Sequence, residues 1–163
     1  MTDFEKLLSG GDLRSIGKSN TVVSKIKNQN DFDRLFFCLF NKDRIVVMRA
    51  ADAIEKITLN YPEYLSKHKP ELLELLFTAK DKELKWHLAL MTPRIELNLQ
   101  EFGEAWNQLT IWANDKTNSR IVRVCSVQGL YEMTKQNGDL KKDLELNMIE
   151  LERENIPSIN ARI

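Results

Sequence analysis

Glycine and proline are scarce in this chain, 6 and 4 of 163 residues. That scarcity argues against a turn-rich β fold and against disorder. There are only two cysteines, Cys38 and Cys125. Each lies in an apolar run with no second ligand at metal spacing, so each reads as a small hydrophobe in a reducing compartment. Neither sign of charge dominates, because 24 Lys and Arg balance 24 Asp and Glu. No net field therefore draws the chain to nucleic acid or acidic lipid. No apolar run approaches the roughly 20 residues of a membrane span. The opening MTDFEKLLSGG lacks a basic start followed by an apolar core. The expectation is a cytoplasmic chain with no secretory signal and no membrane segment.

What is present is a soluble globular balance, 42% apolar and 29% charged residues. A chain of this length can bury roughly 70% of its unfolded surface. It also repeats itself. The segment Asp43-Arg44-Ile45-Val46-Val47-Met48-Arg49-Ala50-Ala51 has counterparts beginning at Asp81 and Ser119. Val46, Leu84 and Val122 are equivalent, and the interval is 38 residues both times. Ala50, Leu88 and Ser126 then align, followed by Ala53, Met91 and Gly129, and by Ile57, Ile95 and Met133. This spacing of i, i+4, i+7 and i+11 is one stripe of an amphipathic helix. Asp43, Asp81 and either Asn118 or Ser119 are suitable N-caps.

An apolar helical stretch precedes each copy. Phe32, Leu35, Phe36, Leu39 and Phe40 mark the first. Leu72, Leu73, Leu75, Leu76 and Phe77 mark the second, which starts near Tyr61-Pro62 or Pro70. Phe102, Trp106, Leu109, Ile111 and Trp112 mark the third. Only a few polar residues separate the two helices of a pair, which forces antiparallel hairpins. A lone hairpin cannot bury its apolar face, whereas stacked neighbours can. A fourth unit has a helix over Asp139–Glu152. It ends in a partial second helix after Asn155-Ile156-Pro157-Ser158, which reads as a cap. The N-terminal residues predict short helices over Thr2–Leu8 and Thr21–Asn28, the latter capped by Ser19 or Asn20.

The Asp-x-x-Val-x-x-x-Ala-Ala opening and the 38-residue period resemble a HEAT repeat, and small bacterial HEAT-repeat proteins look similar from about residue 29 onward. The second copy departs from the pattern with Trp86-His87 where small residues are usual. The resemblance implies an all-α, right-handed α-α superhelix of about three and a half hairpins. Residues 1–28 would form N-terminal capping helices, followed by repeats over 29–60, 61–98 and 99–137 and a partial one over 138–163, as a single domain.

Motifs for chemistry are thin. Gly11 to Ser19 suggests a phosphate-binding loop, but five residues rather than four separate Gly11 from Gly17-Lys18-Ser19, and no buried strand precedes it. We expect no nucleotide there. His87 has no Cys, Asp or Glu at i+4, and the other histidine, His68, is on another helix. Glu150, Glu152 and Glu154, and Asp31 and Asp33, alternate and so do not share a helical face. No metal or cofactor is expected. HEAT-like folds include DNA glycosylases for alkylated bases, for which Asp52 is the acid best placed. Against that stand the short chain and zero net charge, which disfavour nucleic acid.

Helical phase singles out a second stripe. If Val46, Ala50, Ala53 and Ile57 face the hairpin partner, Met48 and Glu55 lie nearly opposite, with Asp52 beside them. The 38-residue shift adds Trp86, Leu90 and Pro93, then Val124, Gln128 and Tyr131. The resemblance puts second helices on a concave surface. There Met48, Trp86, Leu90, Val124 and Tyr131 would form an apolar stripe flanked by Arg49, Lys56, His87, Arg94 and Glu132. Either the stripe is packing between repeats, or it is exposed and binds a protein or peptide through aromatic anchors. Pro93 should kink its helix by removing the bond to the Ala89 carbonyl. The leading expectation is a non-enzymatic protein-binding or scaffold module. The alternative is a small HEAT-like enzyme or accessory subunit, resembling DNA alkylation-repair or chromophore-lyase proteins.

Overall fold

The computed structural model describes residues 3–11 and 18–161. Among the described residues every regular element is helical, as the repeat predicts. They are α1 (Phe4–Leu8), α2 (Ser19–Lys25), α3 (Gln29–Phe37), α4 (Arg44–Asn60), α5 (Glu63–Ser66), α6 (Lys69–Thr78), α7 (Lys82–Met91), α8 (Leu99–Asn114), α9 (Arg120–Thr134), α10 (Lys141–Arg153) and α11 (Pro157–Asn160). Among the described residues no helix is long and apolar enough to cross a membrane. Hairpins form from α3 with α4, α6 with α7, α8 with α9, and α10 with α11. Two compact units result, one ending at His68 and one beginning at Lys69, with the division between α5 and α6.

Cap chemistry sets the starts of the second helices. Asp43 accepts from the Ile45 N–H at 2.9 Å, and Ser119 accepts from the Val122 N–H at 3.4 Å. Asp81 occupies the same place before α7. The predicted stripe faces inward throughout: Val46, Ala50, Ala53, Ile57, Leu84, Leu88, Met91, Val122, Ser126 and Met133 are all buried.

In the first unit, α1 and α2 both pack on α4. Ser19 and Asn20, the two expected caps of α2, both lie inside the helix, which starts after Lys18, and Ser19 instead donates to Asp52 Oδ2 at 2.5 Å. Behind α3 lies a layer of rings. His68 is buried and stacks flat on Phe36, with centroids 4.2 Å apart, while Phe37 meets it edge-on. Its Nε2 lies 2.6 Å from Asp33 Oδ1, and Lys67 Nζ and Gln29 Nε2 donate to the same carboxylate.

In the second unit α7 and α9 run side by side. Lys85 Nζ reaches Asn118 at the start of α9, and Gln136, just past its end, reaches the Pro93 carbonyl, so the two helices are parallel. Pro93 does not kink α7; it ends it. A 3-10 turn over Thr92–Arg94 follows Met91, and Ile95 is extended. The physical reason is the proline itself, which has no N–H to continue the helix, and Asn98 already caps α8 through a reciprocal bond pair with Glu101. Gly129 presses on α7 at the Ala89 carbonyl, to which Pro93 supplies no N–H.

Candidate functional site

The expected binding residues fall in both units, and each unit places its own. In the first, Met48 and Arg49 are buried, at 7% and 2% exposure, and Asp52 is half-buried. Arg49 was expected on a rim. Instead its Nη1 donates to the carbonyl of Leu8 at 2.9 Å and to that of Gly10. The carbonyls at the end of α1 have no partner within the helix, and a buried guanidinium needs acceptors, so each satisfies the other. Gly11 makes this possible. It has φ +80°, and a Cβ there would lie 2.9 Å from the guanidinium. Asp52 is equally occupied, accepting from Ser19 and pairing with Lys56 at 2.7 Å. On this face of α4 the chain's own N-terminal helices sit where a partner was expected. The phosphate-loop candidate, Gly11 to Ser19, falls mostly on residues 12–17, outside the described residues.

In the second unit the stripe divides. Val124 is buried at 7% exposure, and so is His87, whose ring tilts against Trp86 with centroids 5.4 Å apart. Val124 of the stripe is thus core, and His87, expected to flank the stripe, is buried as well. Trp86, Leu90 and Arg94 are half-buried, and Tyr131 is 48% exposed. Lys135 Nζ stands 5.5 Å above the Tyr131 ring. The Glu132 carboxylate, 2.8 Å from that ammonium, holds it above its usual range. What remains accessible is Trp86 and Leu90 in part on α7, and Tyr131 on α9 with charge beside it.

Two concavities were not foreseen. One, of about 410 Å³, lies in the first unit against Asp3, Phe4, Glu5, Arg34, Phe37 and Cys38. Burial and the charges of Glu5 and Asp3 push the Cys38 thiol up to about 11, so it stays protonated and is a poor nucleophile. The other, about 540 Å³, runs between α9 and α10 and is lined by Gln128, Tyr131, Thr134, Lys141, Leu144, Glu145 and Met148. The 38-residue phase had flagged Gln128 and Tyr131, but nothing local signalled the wall from α10. Among the described residues no group of three or more His, Cys, Asp or Glu could hold a metal ion.

A family model described as a HEAT repeat domain matches residues 5–162. No curated protein and no solved structure matches the chain.

Proposed function

The chain belongs to the HEAT-repeat family, and we propose that it is a non-enzymatic, cytoplasmic module that binds or scaffolds a protein partner. One observation carries this reading. On α7 and α9, Trp86 and Leu90 remain half-exposed and Tyr131 is 48% exposed, on the side turned away from the buried stripe Leu84, Leu88, Met91 and Met133. Aromatic anchors with a polar margin are the usual makings of a protein-binding hot spot. Arg94 and Glu132 supply that margin, while His87 and Val124 of the same unit are buried, and Met48, Arg49 and Asp52 are engaged within the first unit and take no part in it. Helical repeat modules serve protein association more often than chemistry.

The test is capture from extract of the native cell. Tagged protein should retain a discrete protein, and Leu90→Arg, which puts a charge into the half-buried surface, should lose it while keeping the wild-type circular dichroism spectrum. Equal retention by the folded Leu90→Arg protein would overturn the assignment to this surface.

A further inference from the structure

The exposed surface of α7 and α9 carries charge of one sign. Stepping about 100° per residue places Lys82 and Leu90 on the same side of α7 as Trp86. The same step on α9 gathers Arg120, Gln128, Tyr131 and Lys135, and the 38-residue interval makes Arg120 the counterpart of Lys82. Among the described residues every exposed charge on this strip is a cation. Lys135 is committed to Glu132 at 2.8 Å, and Glu132 also accepts from Gln128. Lys82 and Arg120 are exposed at the first positions of two parallel helices, side by side. Cations there oppose the helix dipole, and α9 has no acid in its first turn to offset Arg120. Glu83, next to Lys82, is turned inward and buried.

We propose that the segment seated on this surface is an acidic amphipathic peptide of another protein. Its aromatic or aliphatic residues pack on Trp86, Leu90 and Tyr131, and its carboxylates meet Lys82 and Arg120 at one end. The proposal rests on this surface binding protein at all, and charge complementarity chooses the occupant. A nucleic acid calls for cations along the whole strip to follow its phosphates, but the middle holds Trp86, Leu90 and Gln128 instead. A second copy is a poorer match, because the chain has no net charge. The exposed apolar pair of α10, Leu146 and Ile149, lies among both signs, with Glu150 and Arg153 paired to each other at 2.9 Å.

The probe is a displayed library of random peptides about 15 residues long, enough to span the roughly 12 Å from Lys82 to Leu90, selected on the wild-type protein under reducing conditions. Selected peptides should join an aromatic or long aliphatic residue to an excess of Asp and Glu over Lys and Arg. In fluorescence anisotropy with a selected peptide, Lys82→Glu and Arg120→Glu should each weaken binding about 5-fold or more, and added salt should weaken binding to the wild type. Both variants should stay folded, because an acid at a helix start is favoured. Lys142→Glu, the same charge change on α10, should leave the affinity unchanged. Trp86→Ala separates the two readings. A selection that enriches nothing, or peptides that bind Trp86→Ala protein as tightly as wild type, would remove the surface and this proposal with it. Peptides that depend on Trp86 but carry no excess of acid, or that bind folded Lys82→Glu and Arg120→Glu proteins at wild-type strength, would overturn the acidic partner alone. So would single-stranded DNA that displaces the labelled peptide at lower concentration than the unlabelled peptide does. A dimer of the protein alone in light scattering, dispersed by Trp86→Ala, would also overturn it, because a second copy would then be the occupant.

Discussion

Gly129→Ala is expected to destabilise the protein by about 2 kcal/mol, although alanine is the better helix former. The added Cβ would stand 2.4 Å from the Ala89 carbonyl oxygen and 3.2 Å from Leu109 Cδ1. The first of these is backbone of α7 and cannot swing aside, so α7 and α9 must separate. Overpacking of this kind typically costs ~1–3 kcal/mol. At this chain length the loss corresponds to a melting temperature lowered by roughly 4–8 °C. Gly103 in α8 is the control. A Cβ there meets nothing within 4 Å, so Gly103→Ala should gain ~0.5–1 kcal/mol from helix propensity alone. Thermal unfolding of the two alanine variants should thus move in opposite directions. A neutral Gly129→Ala would mean that α7 and α9 are not in close contact.

His68→Ala should cost about 3 kcal/mol, through lost ring packing and a carboxylate left with fewer partners. His68→Phe separates the two, since it keeps a ring against Phe36 but removes the bond to Asp33. The separation can be read in acid. Burial alone would push the Asp33 carboxyl up, but hydrogen bonds from Gln29, Lys67 and His68, together with the His68 charge, outweigh it and hold the group at about 2, against an ordinary 3.8. A depressed carboxylate contributes stability that is fully present above its unfolded value and is lost as pH falls through its folded value. Wild-type protein should therefore lose on the order of 2 kcal/mol between pH ~4 and pH ~2 from this group. In His68→Phe the carboxyl moves back toward its ordinary value, so the acid loss should be smaller. Urea midpoints at both pH values for both proteins give the comparison, and identical acid losses would contradict the role given to His68.

Local chemistry was legible, and distant packing was not. Asp43, Asp81 and Ser119 stood out because an N-cap and the stripe that follows it are written within a dozen residues. The Asn98–Glu101 capping box was equally local. It fixes where α8 starts, whereas the end of α7 before Pro93 is set by the proline itself, which has no N–H for the Ala89 carbonyl. Arg49 lay beyond such reasoning, because its partners are the carbonyls of Leu8 and Gly10, 41 and 39 residues away. Helical phase placed Met48, Trp86, Leu90, Val124 and Tyr131 on one side. It could not say which of them a neighbouring helix would cover, and the answer differs between Val124 at 7% exposure and Tyr131 at 48%. The Gly10-Gly11 pair was the one sequence signal of the turn that ends α1 and meets Arg49, since both residues have positive φ.

Thermal denaturation of Trp86→Ala decides, before any partner is known, whether Trp86 belongs to a surface or to the core. The half-buried indole sits on α7, opposite the buried stripe Leu84, Leu88, Met91 and Ile95. Its removal should therefore cost no more than ~1–2 kcal/mol of stability, less than truncation of a fully buried tryptophan. The larger effect, at least ~2 kcal/mol, should fall on partner binding. A stability loss of ~3–5 kcal/mol would instead make Trp86 a core residue and contradict the binding surface on α7 and α9.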